Sequence, residues 1–427
     1  MGKVLVGKSD LNGTVRVPSF KNDAHRAIMC AIIAKGTSVI SPVELSDDIH
    51  AIIGACGELG VKASLSNKTL TVENNGIIPG GRTAKINCGD FGMILRYLVP
   101  IISAFGFDAN FFGSNHLEQG LINNHMEAIA AHGIVFSIKS SSSLSLQISG
   151  NLEPGEYIMP QETGSQFVSG LLFALPLLNG DSRIRIPDMN VNGQYIDMTV
   201  STMEKFGVTV HKKKDGYLIR GNQTYKPVNY TVERDWSQAS VYLAAAAMGG
   251  EISVEGMKRD SLQDEKVMED ILIQFGANIS WCGEDTIRCG AGELKGGLKI
   301  DLTETPDLLP VVAVVAGLAK GKTKITGFRR QTRRDTDLIN LLKYNLKRLG
   351  AGIKVSANEI TITGVGEYKK VKVKGGGDPL MAESMVIASV GIGRRSSLEI
   401  SGISILNKMY PEFYNHIRSL GGNIIVM

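Results

Sequence analysis

Six times along the chain, a run of residues too uniformly apolar to have a polar face is followed by a short strand-like segment. A second helix-like segment then follows, with one apolar stripe, and ends at a glycine. The apolar runs read AHRAIMCAIIA, GMILRYLVPIISA, SQFVSGLLFALPLL, SQASVYLAAAA, DLLPVVAVVAGLA and MAESMVIASVGI. A helix without a polar face must be buried on all sides, so these six predict core helices rather than surface ones. The strand-like segments behind them are GTSVIS, FDANFFG, SRIRIP, EISVEG, KTKITG and SSLEISG. The closing glycines are Gly60, Gly133, Gly207, Gly276, Gly350 and Gly421, spaced by 73, 74, 69, 74 and 71 residues. Glycine is the expected residue just past a helix end, where a positive φ is needed.

One unit written six times predicts two domains of three units each, with a boundary near Asp235. The expected division is 19–235 for the first domain, and 1–18 plus 236–427 for the second. The first strand of the chain is expected beside the sixth unit rather than the first. The fold class that follows is α/β (α+β), each domain holding three copies of a βαβαββ unit around buried parallel helices.

Composition removes several function classes. A net charge of +4 over 427 residues, with no long basic stripe, excludes nucleic acid as the main partner. The short runs KRDSLQDEK and HKKKD read as solvated loops. The longest apolar stretches, LVPIISAF and LPVVAVVAGLA, fall short of the roughly 20 residues that span a bilayer. The beginning MGKVLVGKSDLNG lacks the apolar core of a signal peptide, so a cytoplasmic protein is expected. Cys30, Cys56, Cys88, Cys282 and Cys289 are scattered without metal-ligand spacing and read as free thiols. No metal or nucleotide motif suggests a cofactor, and KGGGDP reads as a turn before a helix. A monomer acting on small molecules is the expected form.

Candidate chemistry begins at PSFKNDAHRAI. Lys21 and Arg26 flank the predicted start of the first buried helix, where free N–H groups and the helix dipole already favour an anion. Two cations there point to a negatively charged ligand.

The segments around these residues resemble those of the enolpyruvyl transferases. PSFKNDAHRA is similar to that family's Pro-Gly-Ser/Asp-Lys-Ser-x-Ser-x-Arg segment. NCGDFGMILR resembles its Asn-x-Gly-Asn-x-Gly-Thr-x-x-Arg turn, and Ser165–Phe167 its Ser-Ser-Gln-Phe. Tyr195–Asp197, Pro306–Asp307 and Arg333–Ile339 follow in order. The resemblance covers essentially the whole chain and is closer to the EPSP synthase branch than to the branch acting on a UDP-sugar, whose reactive cysteine has no counterpart here. It implies a substrate cleft between two domains, with the buried helices pointing their N-termini into it. It also implies carboxyvinyl transfer from phosphoenolpyruvate to the 5-hydroxyl of 3-phosphoshikimate with release of phosphate.

Carried over residue by residue, the resemblance implies Lys21, Asp307, Asp335 and Lys408 as catalytic groups. For substrate binding it implies Asn22, Arg26, Asp90, Gly92, Arg96, Ser165, Gln166, Asn192, Tyr195 and Arg334. Arg26 would take the ring carboxylate, and Asp307 would receive the proton of the ring hydroxyl. The pattern departs from the family where phosphoenolpyruvate is held: Gly120, Leu338 and Leu380 stand in place of three arginines, and Met93 in place of a threonine. Each lost charge-assisted hydrogen bond costs about 1.5–3 kcal/mol. Two alternatives therefore stand beside carboxyvinyl transfer. One is a diverged homologue doing acid–base chemistry on a single phosphorylated ring acid. The other is a relative that binds ligand without catalysis.

Overall fold

The computed structural model describes residues 2–77, 83–114, 119–140, 144–159, 164–186, 193–329 and 332–427, and at 119–124, 139–140 and 144 the backbone alone. The chain forms two compact units. One is Ser19–Val232, and the other joins Met1–Pro18 to Glu233–Met427.

The six apolar runs form the helices Lys21–Ile33, Gly92–Ala104, Ser165–Ala174, Trp236–Gly249, Leu309–Leu318 and Pro379–Ile387. Their burial matches their composition. Every residue from Asp23 to Ile33 is buried, as are all ten of Leu309–Leu318. Each unit has its own hydrophobic core, built around three of these helices. The striped segments form the outer helices Asp47–Glu58, Gln119–Ala130, Gly193–Lys205, Met268–Phe275, Arg333–Leu349 and Phe413–Ser419. The glycines that close them all adopt positive φ, between 77° and 102°, a region that costs a side-chain-bearing residue about 1–2 kcal/mol.

Among the described residues the strands form six four-stranded sheets, three in each unit. All six share one plan. A first strand runs parallel to a second, which pairs antiparallel with a third, which pairs antiparallel with a fourth. In the first sheet these are Asn229–Thr231, Gly36–Ser41, Thr69–Asn74 and Lys62–Ser66. The first strand of the chain, Lys3–Gly7, lies between Ser397–Ser401 and Ile424–Val426, beside the sixth unit as the repeat arithmetic expects. Leu11–Val15 runs parallel to Gly250–Glu255. One expectation needs correcting. HKKKD does not lie wholly in a loop, since Val210–Lys213 is an edge strand whose Lys212 reaches Asp197 at 2.7 Å.

Gly170 shows how closely the buried helices approach. A Cβ added there would sit 2.2 Å from the carbonyl oxygen of Arg96. Backbone therefore packs directly on backbone where Ser165–Ala174 meets Gly92–Ala104. We expect Gly170→Ala to force these helices apart, at about 1–3 kcal/mol for overpacking, and to lower the melting midpoint seen by calorimetry.

Candidate active site

The three buried helices of Ser19–Val232 begin without side-chain caps. Their cap positions are Phe20, Phe91 and Gly164, none of which offers a side-chain acceptor bond. The first N–H groups of each helix thus keep their partial positive charge. Lys21 opens the first helix, Gly92 the second with Arg96 one turn in, and Ser165 and Gln166 open the third. Asp90 lies exposed in the turn just before the second.

Arg26 is 1% exposed, and each of its three guanidinium nitrogens donates to the protein. Its Nε donates to Thr199 Oγ1, its Nη1 to the carbonyl of Asn22 and its Nη2 to the carbonyl of Tyr195, each at 2.8 Å. The Thr199 hydroxyl donates to the Tyr195 carbonyl at 3.0 Å and lies 2.7 Å from Ser169 Oγ. A guanidinium has five N–H donors, so three are committed to the protein. Arg26 is thereby joined to Asn22 and Tyr195 through their backbone carbonyls, while Lys21 stands outside this network. Arg96 and Gln166 form a second pair, Nη1 donating to Oε1 at 2.8 Å. Beside them His125 stacks on Phe167 with centroids 4.3 Å apart. Burial, and then the charge of Arg96, pushes the His125 imidazole down to about 4, so it is neutral at ordinary pH. Asn192 lies outside the described residues.

Lys21 has a partner that its local sequence does not advertise. Its Nζ lies 3.5 Å from both carboxylate oxygens of Asp48. Asp48 Oδ1 also accepts from the Ser46 hydroxyl and, at 3.1 Å, from the Ile49 N–H. Asp48 Oδ2 lies 3.2 Å from His25 Nε2, an ion-contact distance off the direction of a well-formed hydrogen bond. Burial works to raise the Asp48 carboxyl, but the His25 contact, the Ser46 hydroxyl and the Lys21 charge outweigh it and hold it well below the usual carboxylate range.

Among the described residues, the unit Met1–Pro18 with Glu233–Met427 has only one buried helix, Leu309–Leu318, that starts without a side-chain cap. Two of its buried helices are capped by carboxylates, Asp235 accepting from Gln238 N at 3.2 Å and Asp378 from Met381 N at 2.9 Å. Asp307 sits in the 3-10 turn Pro306–Leu308, 3.3 Å from Arg329 Nη1. Arg334 reaches Asp378 at 3.7 Å. Asp335 forms a capping box: the Thr332 N–H donates to its carboxylate at 2.9 Å, and its own N–H donates to Thr332 Oγ1 at 3.1 Å. Lys408 lies exposed in the helix Ile405–Met409. Leu338 and Leu380 are partly buried against the core of this unit, and Gly120 falls in the helix Gln119–Ala130 of the other.

Three further acids in this unit escaped the motifs. Glu383 is fully buried, and neither of its oxygens makes a well-formed hydrogen bond. Burial first, then the charges of Asp235 and Asp378, drive it well above its ordinary value, against an opposing contact from Gln238. Glu265 is pushed up to about 7 by burial and by Asp235, Asp264 and Asp307, and Asp264 to about 6 by burial and Glu304. Their sequence contexts, LQDEK and MAES, carry no signal that singles them out.

Bare helix starts carrying Lys21 and Arg96 suit anion binding in Ser19–Val232, while raised acids in the other unit suit proton transfer. The sequence profile of the EPSP synthase (3-phosphoshikimate 1-carboxyvinyltransferase) family matches residues 5–417. The chain belongs to the EPSP synthase family. Among curated members of this transferase family, the 3-phosphoshikimate 1-carboxyvinyltransferase of Clostridium perfringens (strain ATCC 13124) is 37% identical over 425 residues, 99% of each chain. That of Clostridioides difficile (strain 630) is 35% identical over 437 residues, covering 99% of this chain and 98% of its own. Two structures of EPSP synthase from Acinetobacter baumannii superpose with a TM-score of 0.84 over all of both chains at 20% and 21% identity. They show the same fold, which bears out the enolpyruvyl-transferase architecture expected from the repeats.

Proposed function

We propose that this chain transfers the carboxyvinyl group of phosphoenolpyruvate to the 5-hydroxyl of 3-phosphoshikimate, releasing phosphate. The observation that carries this reading is the set of uncapped helix starts in Ser19–Val232, with Lys21, Arg26 and Arg96 placed on them. A ligand with a phosphate and a carboxylate needs such donors, and cations at helix N-termini supply them. Ser165, Gln166 and Tyr195 complete the ring-acid side, and Asn192 belongs to it on the resemblance alone.

In the reaction, Asp307 takes the proton of the 5-hydroxyl as its oxygen attacks C2 of phosphoenolpyruvate, and C3 gains a proton. The adduct then loses that proton and the phosphate together, which restores the double bond. Lys21, Lys408 and Asp335 are the groups we assign to proton transfer and to the charge of the leaving phosphate. Asp335 serves as a helix cap in this structure, so its part requires the capping box to open. With Leu338 and Leu380 packed on the core, Arg329 and Arg334 are the guanidinium groups we assign to the donor's anionic end. The enzyme acts as a monomer in the cytoplasm on this reading.

The test is phosphate release from the purified chain given both substrates, with calorimetry of each alone and then together. We expect phosphate release that requires both, and phosphoenolpyruvate affinity that rises when 3-phosphoshikimate is present. Ring-acid binding indifferent to phosphoenolpyruvate, with no phosphate released, would overturn carboxyvinyl transfer and leave the single-substrate reading.

A further inference from the structure

Lys21 and His25 are four residues apart on one helix, so their side chains lie on the same face one turn from each other. Both reach the same carboxylate, that of Asp48, at the start of the next helix, Asp47–Glu58. Asp48 is 6% exposed and His25 is 4% exposed, whereas the Lys21 side chain keeps 37% of its surface open. The arrangement is thus a buried base carrying one accessible ammonium.

The details argue against a mere structural ion pair. Asp48 has three other contacts, from Ser46, Ile49 and His25, so its burial does not depend on Lys21. Lys21 lies equally far from both oxygens, at the long limit of a hydrogen bond. Such a contact sets the direction of the ammonium while leaving its hydrogens for another anion. Burial pushes the His25 imidazole below its ordinary value, so a neutral ring rather than a second cation lies against Asp48. The carboxylate therefore directs its charge to Lys21.

We propose that Asp48, held in turn by His25, is the positioning residue for Lys21, fixing its ammonium where it meets the anionic substrate. This rests on the role given to Lys21 above. The motif around Lys21 contains His25 but gives it no role, and it cannot name Asp48, which comes from a different helix.

The test is a double-mutant cycle on the full chain. Asp48→Asn is expected to lower kcat/KM by about 10–100-fold, the usual scale for removing a group that orients a catalytic side chain. Its melting midpoint should stay close to that of the parent. His25→Gln, whose amide nitrogen reaches the place of Nε2 and keeps an N–H donor for Asp48, should retain activity within about threefold, whereas His25→Leu should behave like Asp48→Asn. Lys21→Met should lose more than any of these, and adding Asp48→Asn to it should change nothing further. Silence in that background is the signature of action through Lys21, and a structural role would not produce it. Additive losses, or wild-type kinetics in Asp48→Asn, would overturn the proposal while leaving carboxyvinyl transfer untouched. If the parent chain proves not to turn over, that reading of function fails by itself. The same cycle is then read on 3-phosphoshikimate affinity by calorimetry, where the same non-additivity is expected and additivity would overturn the positioning role.

Discussion

Arg26→Met is expected to abolish ring-acid binding and to destabilise the fold at the same time. The side chain is 1% exposed, and its loss removes one charged donor each from Thr199 Oγ1 and the carbonyls of Asn22 and Tyr195. A hydrogen bond from a charged donor contributes about 1.5–3 kcal/mol, so losing three can remove several kcal/mol even though Thr199 keeps Ser169 and the Tyr195 carbonyl keeps the Thr199 hydroxyl. That is a large share of the roughly 5–15 kcal/mol by which domains are stable. Arg26→Lys keeps a charge but replaces a planar five-donor fork with a point charge, and cannot serve three acceptors in fixed directions. We expect it to fall between the parent and Arg26→Met in melting midpoint and to bind 3-phosphoshikimate weakly. Calorimetric melting and titration with the ring acid at low temperature separate the two effects. A methionine variant that melts like the parent would show that the buried network is not what holds these helices together.

Glu265→Gln should make the protein more stable at alkaline pH, an unusual outcome for removing a charge. The folded-state value of Glu265 is raised from 4.5 to about 7. For a raised acid the sign is clear. The folded state holds the proton more tightly than the unfolded one, so this stability is complete below about 4.5 and is lost as pH climbs through 7. A shift of that size corresponds to about 3 kcal/mol. Glutamine has no charge to desolvate, so the variant should match the parent near pH 4 and exceed it at pH 8. The gain should approach that amount in chemical denaturation. Equal stability at both pH values would mean that Glu265 is solvated and ordinary. His25 and His125 act on the acid side with the opposite slope. Both are held below the ordinary histidine value, so the unfolded chain binds protons first and stability falls as pH drops below about 6.5.

What the sequence made legible follows from how local each signal is. The six apolar helices and their closing glycines could be read because burial and positive φ act on single positions. The place of the first strand, Lys3–Gly7, beside the sixth unit could be counted out from the repeats, though not its partner Ser397–Ser401. The partners of Arg26 could not, since Thr199 lies 173 residues away and is brought in by packing alone. Asp48 was hidden for the same reason, and Glu383 because a buried acid in an apolar helix has no motif. Asp335 carries two signals at once. The resemblance marked it as a proton carrier, yet Thr332 three residues earlier already spelled a capping box, which is what the fold makes of it.

The two units also differ in when they can be finished. All strands of Ser19–Val232 come from within that stretch, so its three sheets can close once residue 232 has left the ribosome. The strands Lys3–Gly7 and Leu11–Val15 are made first but must wait for partners at Ser397–Ser401, Ile424–Val426 and Gly250–Glu255. During synthesis the earliest segment is therefore an unpaired ribbon tethered to an already folded neighbour. Its open backbone groups leave it prone to pair with the wrong edge until its partners arrive.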